Sequence, residues 1–260
     1  QTSTAAPSET CELDFSGLCF PEDATVHVLD QGEVPMKDLR VGDLIQTMTL
    51  QPVKNNNQTT KQDEYYYTDH YQPIYAFGHY QPDQEEEYLQ IQTKDNYSNM
   101  KFLTISHRHM VFLYDKKNPV AAESIQLGDV LQSDGGSPAK VIQIDVVTKR
   151  GLYAPLTPDG TLLVNGIQAS SYVSLQPTAH EFVEWRQGGT SATTTRTLLS
   201  QQNFVHWATA PLRLLCPSSR RPAILCQPQD HTDGMPYYVY YGLKLAHWTD
   251  QQRSGMAQLV

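Results

Sequence analysis

The sequence predicts an all-β domain built from two copies of one unit and followed by a short α-helical appendage. Three observations carry this. First, Leu39-Arg40-Val41-Gly42-Asp43-Leu44-Ile45-Gln46-Thr47 lies over Ile125-Gln126-Leu127-Gly128-Asp129-Val130-Leu131-Gln132-Ser133 without a gap. Each copy is a Gly-Asp corner set between apolar positions ahead of a strand, and duplication explains so long a match better than two independent turns. Second, short runs of β-branched and aromatic residues, separated by turn residues, dominate as far as Tyr172. Third, the composition then changes: residues 187–197 are Gly/Thr/Ser-rich, and two later segments carry large apolar residues at helical spacing.

Composition bounds the function. A chain of 260 residues can bury a real core, as one large domain or one domain with an appendage. A net charge of -9 argues against nucleic acid as a partner, because that recognition needs a basic face. The mean hydropathy of -0.48 and the lack of a long apolar run argue against a membrane-spanning helix. The chain starts at Gln1 without a signal peptide, so the expectation is a fragment or a processed chain. The four cysteines, Cys11, Cys19, Cys216 and Cys226, form no CxxC and no zinc pattern. His79, His107 and His109 lie near one another in the pattern, but no spacing argues for a metal, and no cofactor is expected. Cys216 and Cys226 are close enough to bridge, which fits an oxidising compartment. Two glycosylation sequons, Asn57-Gln58-Thr59 and Asn96-Tyr97-Ser98, point the same way. So do fifteen tyrosines, and the expected location is the secretory pathway (the endoplasmic reticulum lumen) and the extracellular space.

Taken in order, residues 1–18 read as an upstream linker, rich in Ser, Thr and small residues. Ala24 to Asp30 alternates as a first strand, Asp30-Gln31-Gly32-Glu33 is a turn, and Val34-Pro35-Met36 begins a second short run. Between the repeats, Gln51 to Gln72 reads as a long polar surface loop. Strands follow at 73–80, 88–93, 101–106 and 110–114, with Asp95 to Asn99 as a turn. Lys140 to Thr148 alternates as a strand, Gly151 to Thr161 reads as an irregular corner, and Leu162 to Ile167 closes the β body. Beyond it, Phe204 to Leu215 and Tyr237 to Trp248 have helical spacing, with Tyr238, Tyr241, Leu245 and Trp248 on one face. Such an aromatic surface either packs on the β body or binds an apolar ligand or a membrane surface. The domains are therefore residues 1–18, 19–172 and 173–260.

The chemistry centres on Cys19, flanked by Gly17, Phe20 and Pro21 at the junction of linker and folded body. It reads either as a half-buried core cysteine or as a thiol placed to attack the peptide bond before it, Leu18–Cys19. An acyl shift from nitrogen to sulfur needs a proton donor for the leaving amide nitrogen and hydrogen bonds that hold that amide. His109 can supply the first and Ser106, three residues earlier, the second.

Together these features resemble the Hint self-processing domain of Hedgehog proteins. The likeness rests on Cys19-Phe20-Pro21-Glu22-Asp23-Ala24-Thr25-Val26, Pro35-Met36-Lys37-Asp38-Leu39-Arg40-Val41-Gly42-Asp43, Ser106-His107-Arg108-His109, Gly151-Leu152-Tyr153-Ala154-Pro155-Leu156-Thr157, Gly160 to Gly166 and Ala169-Ser170-Ser171-Tyr172. His206 to Leu215 and the tyrosine-rich segment ending at Trp248 resemble the family's sterol-recognition region. The resemblance implies an intein-like, pseudo-two-fold β fold and autoprocessing in cis: Cys19 forms a thioester with the upstream segment, which serves as acyl donor. A sterol hydroxyl, that of cholesterol or a relative as co-substrate, then displaces the thiol. By this likeness Cys19 is the nucleophile, and His109 and Ser106 assist the shift. His79 stands where the family carries an acidic residue that activates the sterol. His206, Trp207, Tyr238, Tyr241 and Trp248 are candidate sterol- and membrane-binding residues. Leu18 replaces the family's glycine before the cysteine, and Ser171 stands at the position of a cysteine. Resolution of the thioester by water or another nucleophile, or a catalytically silent β binding module, remain alternatives. Intein-style splicing is disfavoured, because Asn165 is followed by Gly166 within what reads as a strand.

Overall fold

A computed structural model describes residues 19–52, 65–114, 116, 118–173, 201–216, 226–228, 234–242 and 244. The described body is almost entirely β. Its strands are β1 (Thr25–Val28), β2 (Gly32–Pro35), β3 (Leu44–Pro52), β4 (Tyr65–Pro73), β5 (Ala76–Asp95), β6 (Met100–Ile105), β7 (His109–Val111), β8 (Val120–Ala121), β9 (Val130–Ser133), β10 (Ser137–Leu156), β11 (Thr161–Val164) and β12 (Ile167–Val173). One sheet runs β2-β1-β3-β4; the other runs β6-β5-β10-β9-β12-β7-β8, with β11 paired to β12. Two short helices, α1 (Gln201–Ala208) and α2 (Ala210–Leu215), follow.

The duplication is visible bond by bond. Each copy begins with a 3-10 turn, Met36–Asp38 and Ala122–Ser124. In the first corner Asp43 accepts the Arg40 N–H at 2.8 Å, and in the second Asp129 accepts the Gln126 N–H at 2.8 Å. The Gly42 N–H donates to the Ile74 carbonyl at 2.8 Å, and the Gly128 N–H to Val141 at 2.9 Å. Both glycines take a left-handed backbone, φ 96° and 94°, where a side chain costs roughly 1–2 kcal/mol. Sequence identity at these corners is thus a requirement of the turn.

Several strand expectations are corrected. Part of the expected loop at 51–72 is strand: Tyr65–Pro73 pairs along all of β3, from Pro52↔Tyr65 to Leu44↔Pro73, while residues 53–64 lie outside the described set. The stretches at 76–80 and 88–93 belong to one continuous strand, β5, whose exposed acidic stretch faces β10 as Glu85↔Arg150 and Glu86↔Lys149. Cross-strand charge pairing keeps a strand going where composition alone reads as a break. Gly151 to Leu156 likewise continues β10, with bulges absorbing the irregularity. Asn165 lies in a two-residue hairpin turn with Gly166 (φ 49° and 73°), and its side-chain oxygen accepts the Thr25 N–H at 3.0 Å.

The core fills the space between the sheets. Val26, Ile45, Ile91, Leu103, Leu131 and Val141 belong to one buried cluster, with Phe20 inside it. A second cluster joins Tyr75, Met110, Leu156 and Tyr172 of the β body to Leu212, Cys216 and Cys226. The expected Cys216–Cys226 disulfide is formed, and it closes the end of α2 against the body.

Candidate active site

Cys19 and Phe20 enter the body as a short extended segment gripped on both sides. Phe20 exchanges backbone hydrogen bonds with Tyr153 of β10, at 2.8 and 3.0 Å. On the other side, the Ser106 N–H donates to the Cys19 carbonyl at 3.1 Å, and the Cys19 N–H donates to Ser106 Oγ at 2.8 Å. The peptide nitrogen of Cys19 is therefore fixed by a hydroxyl.

Ser106 and His109 come together through a tight turn. β6 ends at Ile105, and the His109 N–H donates to the Ser106 carbonyl at 3.1 Å. His109 opens β7 fully buried, its ring 4.3 Å from the Phe20 ring. Its Nε2 lies 2.7 Å from the Ser170 carbonyl. A carbonyl only accepts, so Nε2 carries the hydrogen and Nδ1 is the ring atom able to exchange a proton.

His79 is brought in by a bulge. Opposite Ala154 alone, β5 places both Gly78 and His79 between the pairs Tyr153↔Tyr80 and Pro155↔Phe77. The extra residue re-aims the side chain, and His79 Nδ1 sits 3.0 Å from Cys19 Sγ. Cys19 is fully buried, and that burial, with a smaller contribution from the Glu86 carboxylate, pushes its thiol well above the ordinary range. A protonated thiol donating to an imidazole nitrogen is the resulting arrangement. Such a pair can release a nucleophilic sulfur without bulk hydroxide.

The helical region is tied to the same strands. On β12, two residues beyond Ser170, the Tyr172 hydroxyl lies 2.9 Å from His206 Nδ1 on α1. It also accepts from Thr209 Oγ1 at 3.2 Å and Arg213 Nη1 at 3.3 Å. Beside His79, the Tyr80 N–H donates to the Gly234 carbonyl at 2.8 Å. So the strand carrying His79 and the strand holding His109 both touch the C-terminal region.

The candidate residues divide accordingly. Cys19, His79, Ser106 and His109 are assembled in one place. His206 faces the β body, whereas Trp207 is 75% exposed and Tyr241 60%. Tyr238 is partly exposed, and its hydroxyl donates to the Ala208 carbonyl. Leu18 and Trp248 lie outside the described residues. Sequence reasoning missed the parts played by Ser170, Tyr172 and Arg213. The Ala-Ser-Ser-Tyr run was visible, but a backbone carbonyl acting as anchor leaves no residue-type signal. Among the described residues, no group of three or more His, Cys, Asp or Glu is arranged to hold a metal ion.

The setting of His206 predicts pH-sensitive docking of the helical region. Partial burial, then the Arg213 guanidinium, holds its imidazole below the usual value, with Asp159 opposing weakly. A histidine depressed in the folded state is stabilising when neutral, so its contribution is present above about 6.5 and is lost as pH falls below that value. Protease protection of residues 201–216 is expected to weaken on acidification, and His206→Gln is expected to flatten that dependence.

Set against known proteins, residues 7–251 match the Hint module family. The chain belongs to the Hint module family. This Hint module is 31% identical to Warthog protein 8 of Caenorhabditis elegans over 169 residues, which cover 59% of the chain and 27% of that relative. It is 22% identical to Protein hedgehog of Drosophila melanogaster over 212 residues, covering 76% of the chain and 35% of the relative. The module thus spans about a third or less of the length of these curated relatives. Among solved structures it resembles the gp41-1 intein (13% identity, TM-score 0.40, 60% of this chain and 99% of the intein). It also resembles the Ssp DnaB Mini-Intein variant M86 (11% identity, TM-score 0.42, 61% and 97%).

Proposed function

We propose that this Hint module cleaves itself at Leu18–Cys19 by an N-to-S acyl shift and passes the upstream segment to a sterol hydroxyl. The observation that carries the reading is the pinned Cys19: its nitrogen on Ser106 Oγ at 2.8 Å and its sulfur on His79 Nδ1 at 3.0 Å. His79 takes the thiol proton as Sγ attacks the Leu18 carbonyl carbon. Ser106 holds the amide nitrogen in place, and His109 Nδ1 delivers the proton that nitrogen needs when the C–N bond breaks. The products are a thioester on Cys19 and a free α-amine. The thiol proton held by His79 then replaces the one given up by His109, which leaves His79 neutral. In the second step a sterol oxygen attacks the thioester carbonyl, its proton passes to His79 and from there to the sulfur as it leaves. Trp207, Tyr238 and Tyr241, with Leu214 at 84% and Leu215 at 57% exposed, form the surface that meets a sterol-bearing membrane. None of the described helices is long and apolar enough to cross one. The disulfide supports work in the endoplasmic reticulum lumen and export from it.

A second reading keeps the thioester and resolves it with water or a non-sterol nucleophile. What favours it is His79, a base that can activate water as readily as a sterol. Mass spectrometry of the released residues 1–18 after incubation with cholesterol decides. A fragment heavier by one esterified sterol is the expected result. A free carboxylate selects the second reading, and no cleavage with thiol or sterol leaves a silent β module.

A further inference from the structure

We propose that Asn96, at the tip of the β5–β6 hairpin, is an N-glycosylation site. The sequon Asn96-Tyr97-Ser98 occupies the turn between Asp95 and Asn99, and all three residues are exposed. The turn is held by its neighbour. Asp95 Oδ1 accepts the N–H groups of Tyr97 and Asn99, each at 2.8 Å, and Asp95 Oδ2 accepts the Asn99 side chain at 2.8 Å. Those bonds, led by the Asn99 side chain, hold the Asp95 carboxyl below its ordinary value. No hydrogen bond of the turn uses the Asn96 side chain, so its amide nitrogen is available.

Two further observations point to a sugar there. Three large side chains near the tip stand exposed: Tyr97 at 85%, Met100 at 44% and Phe102 at 45%. Met100 and Phe102 alternate outward along β6, so with Tyr97 they make a patch beside Asn96. An oligosaccharide, apolar on its ring faces and polar at its rim, suits such a patch. The Cys216–Cys226 disulfide independently fits an oxidising compartment, where N-linked transfer takes place.

In the transfer, the Asn96 amide nitrogen bonds to C1 of a polyprenyl-diphosphate-linked oligosaccharide. The polyprenyl diphosphate departs as the C–O bond breaks, and the amide gives up one proton. The folded tip then carries the glycan without burying it. Six residue steps along β6 separate Met100 from Ser106, about 20 Å at ~3.3 Å per residue. The glycan therefore stays clear of Cys19, and the proposal stands apart from the cleavage chemistry.

The test is production of the full chain in secretory eukaryotic cells behind a cleavable export signal, followed by glycopeptide mass spectrometry before and after peptide N-glycosidase F. The expected result is an occupied Asn96 peptide, converted to Asp by the enzyme and unoccupied in both Asn96→Gln and Ser98→Ala. The Ser98→Ala variant keeps Asn96 itself, so a loss there reads the sequon and not the fold. An unmodified Asn96 peptide from secreted chains whose Cys216–Cys226 bond is formed overturns the proposal. So does occupancy confined to Asn57, or a glycan that persists in Ser98→Ala.

Discussion

A Cys19→Ala variant incubated with a small thiol is expected to release none of residues 1–18, while the unaltered chain releases them. The variant removes the sulfur and nothing else that holds the junction. The Cys19 N–H still reaches Ser106 Oγ, and the Phe20–Tyr153 pair survives. Losing one buried heavy atom costs on the order of 1 kcal/mol, too little to unfold the domain. Absence of cleavage then reads the missing nucleophile. Gel and mass analysis over time gives the rate, and far-UV circular dichroism confirms that the variant is folded. Release of the same fragment from the variant would remove Leu18–Cys19 as the cleaved bond.

His79→Ala carries the second large effect, and its signature lies in the pH profile. Burial keeps the Cys19 thiol protonated well past neutrality. Without a neighbouring base, sulfur is released only by hydroxide, and the rate climbs with pH into the alkaline range. With His79 Nδ1 at 3.0 Å, the proton has a local acceptor. The variant is expected to lose about 10²–10⁴-fold in thiol-induced cleavage at neutral pH, the range typical of a general base, and to recover part of it as pH rises. A profile parallel to that of the unaltered chain would mean that His79 has no part in forming the thioester and acts only later, on the acceptor.

The sequence made the β class and the duplication legible because a Gly-Asp corner has a fixed chemistry. It needs a left-handed glycine and an acceptor three residues after the amide it caps. Cys19, Ser106 and His109 were likewise legible, because a thiol, a hydroxyl and an imidazole each name their own chemistry. His79 was less so: its inward aim comes from a bulge opposite Ala154, and a bulge is set by the register of two strands far apart in the chain. The long β5 and β10 were read as fragments because Gln81–Glu87 is polar. Its pairing with Lys149 and Arg150 appears only once the strands are side by side. The anchoring of His109 on Ser170 and of Tyr80 on Gly234 was not legible at all, since both contacts run through backbone carbonyls.

The burial of Cys19 has a redox consequence. The chain carries four cysteines, and only Cys216 and Cys226 are bridged among the described residues, leaving Cys19 a free thiol. Thiol–disulfide exchange needs a thiolate that an oxidant can reach. Cys19 offers neither: it is inaccessible, and its sulfur keeps its proton. Glutathione disulfide would cap an exposed sulfur by exchange, releasing glutathione, and a capped sulfur cannot form a thioester. Burial thus shields the Cys19 thiol from any oxidant able to bridge Cys216 and Cys226, and on the proposed function keeps it reduced for its single use.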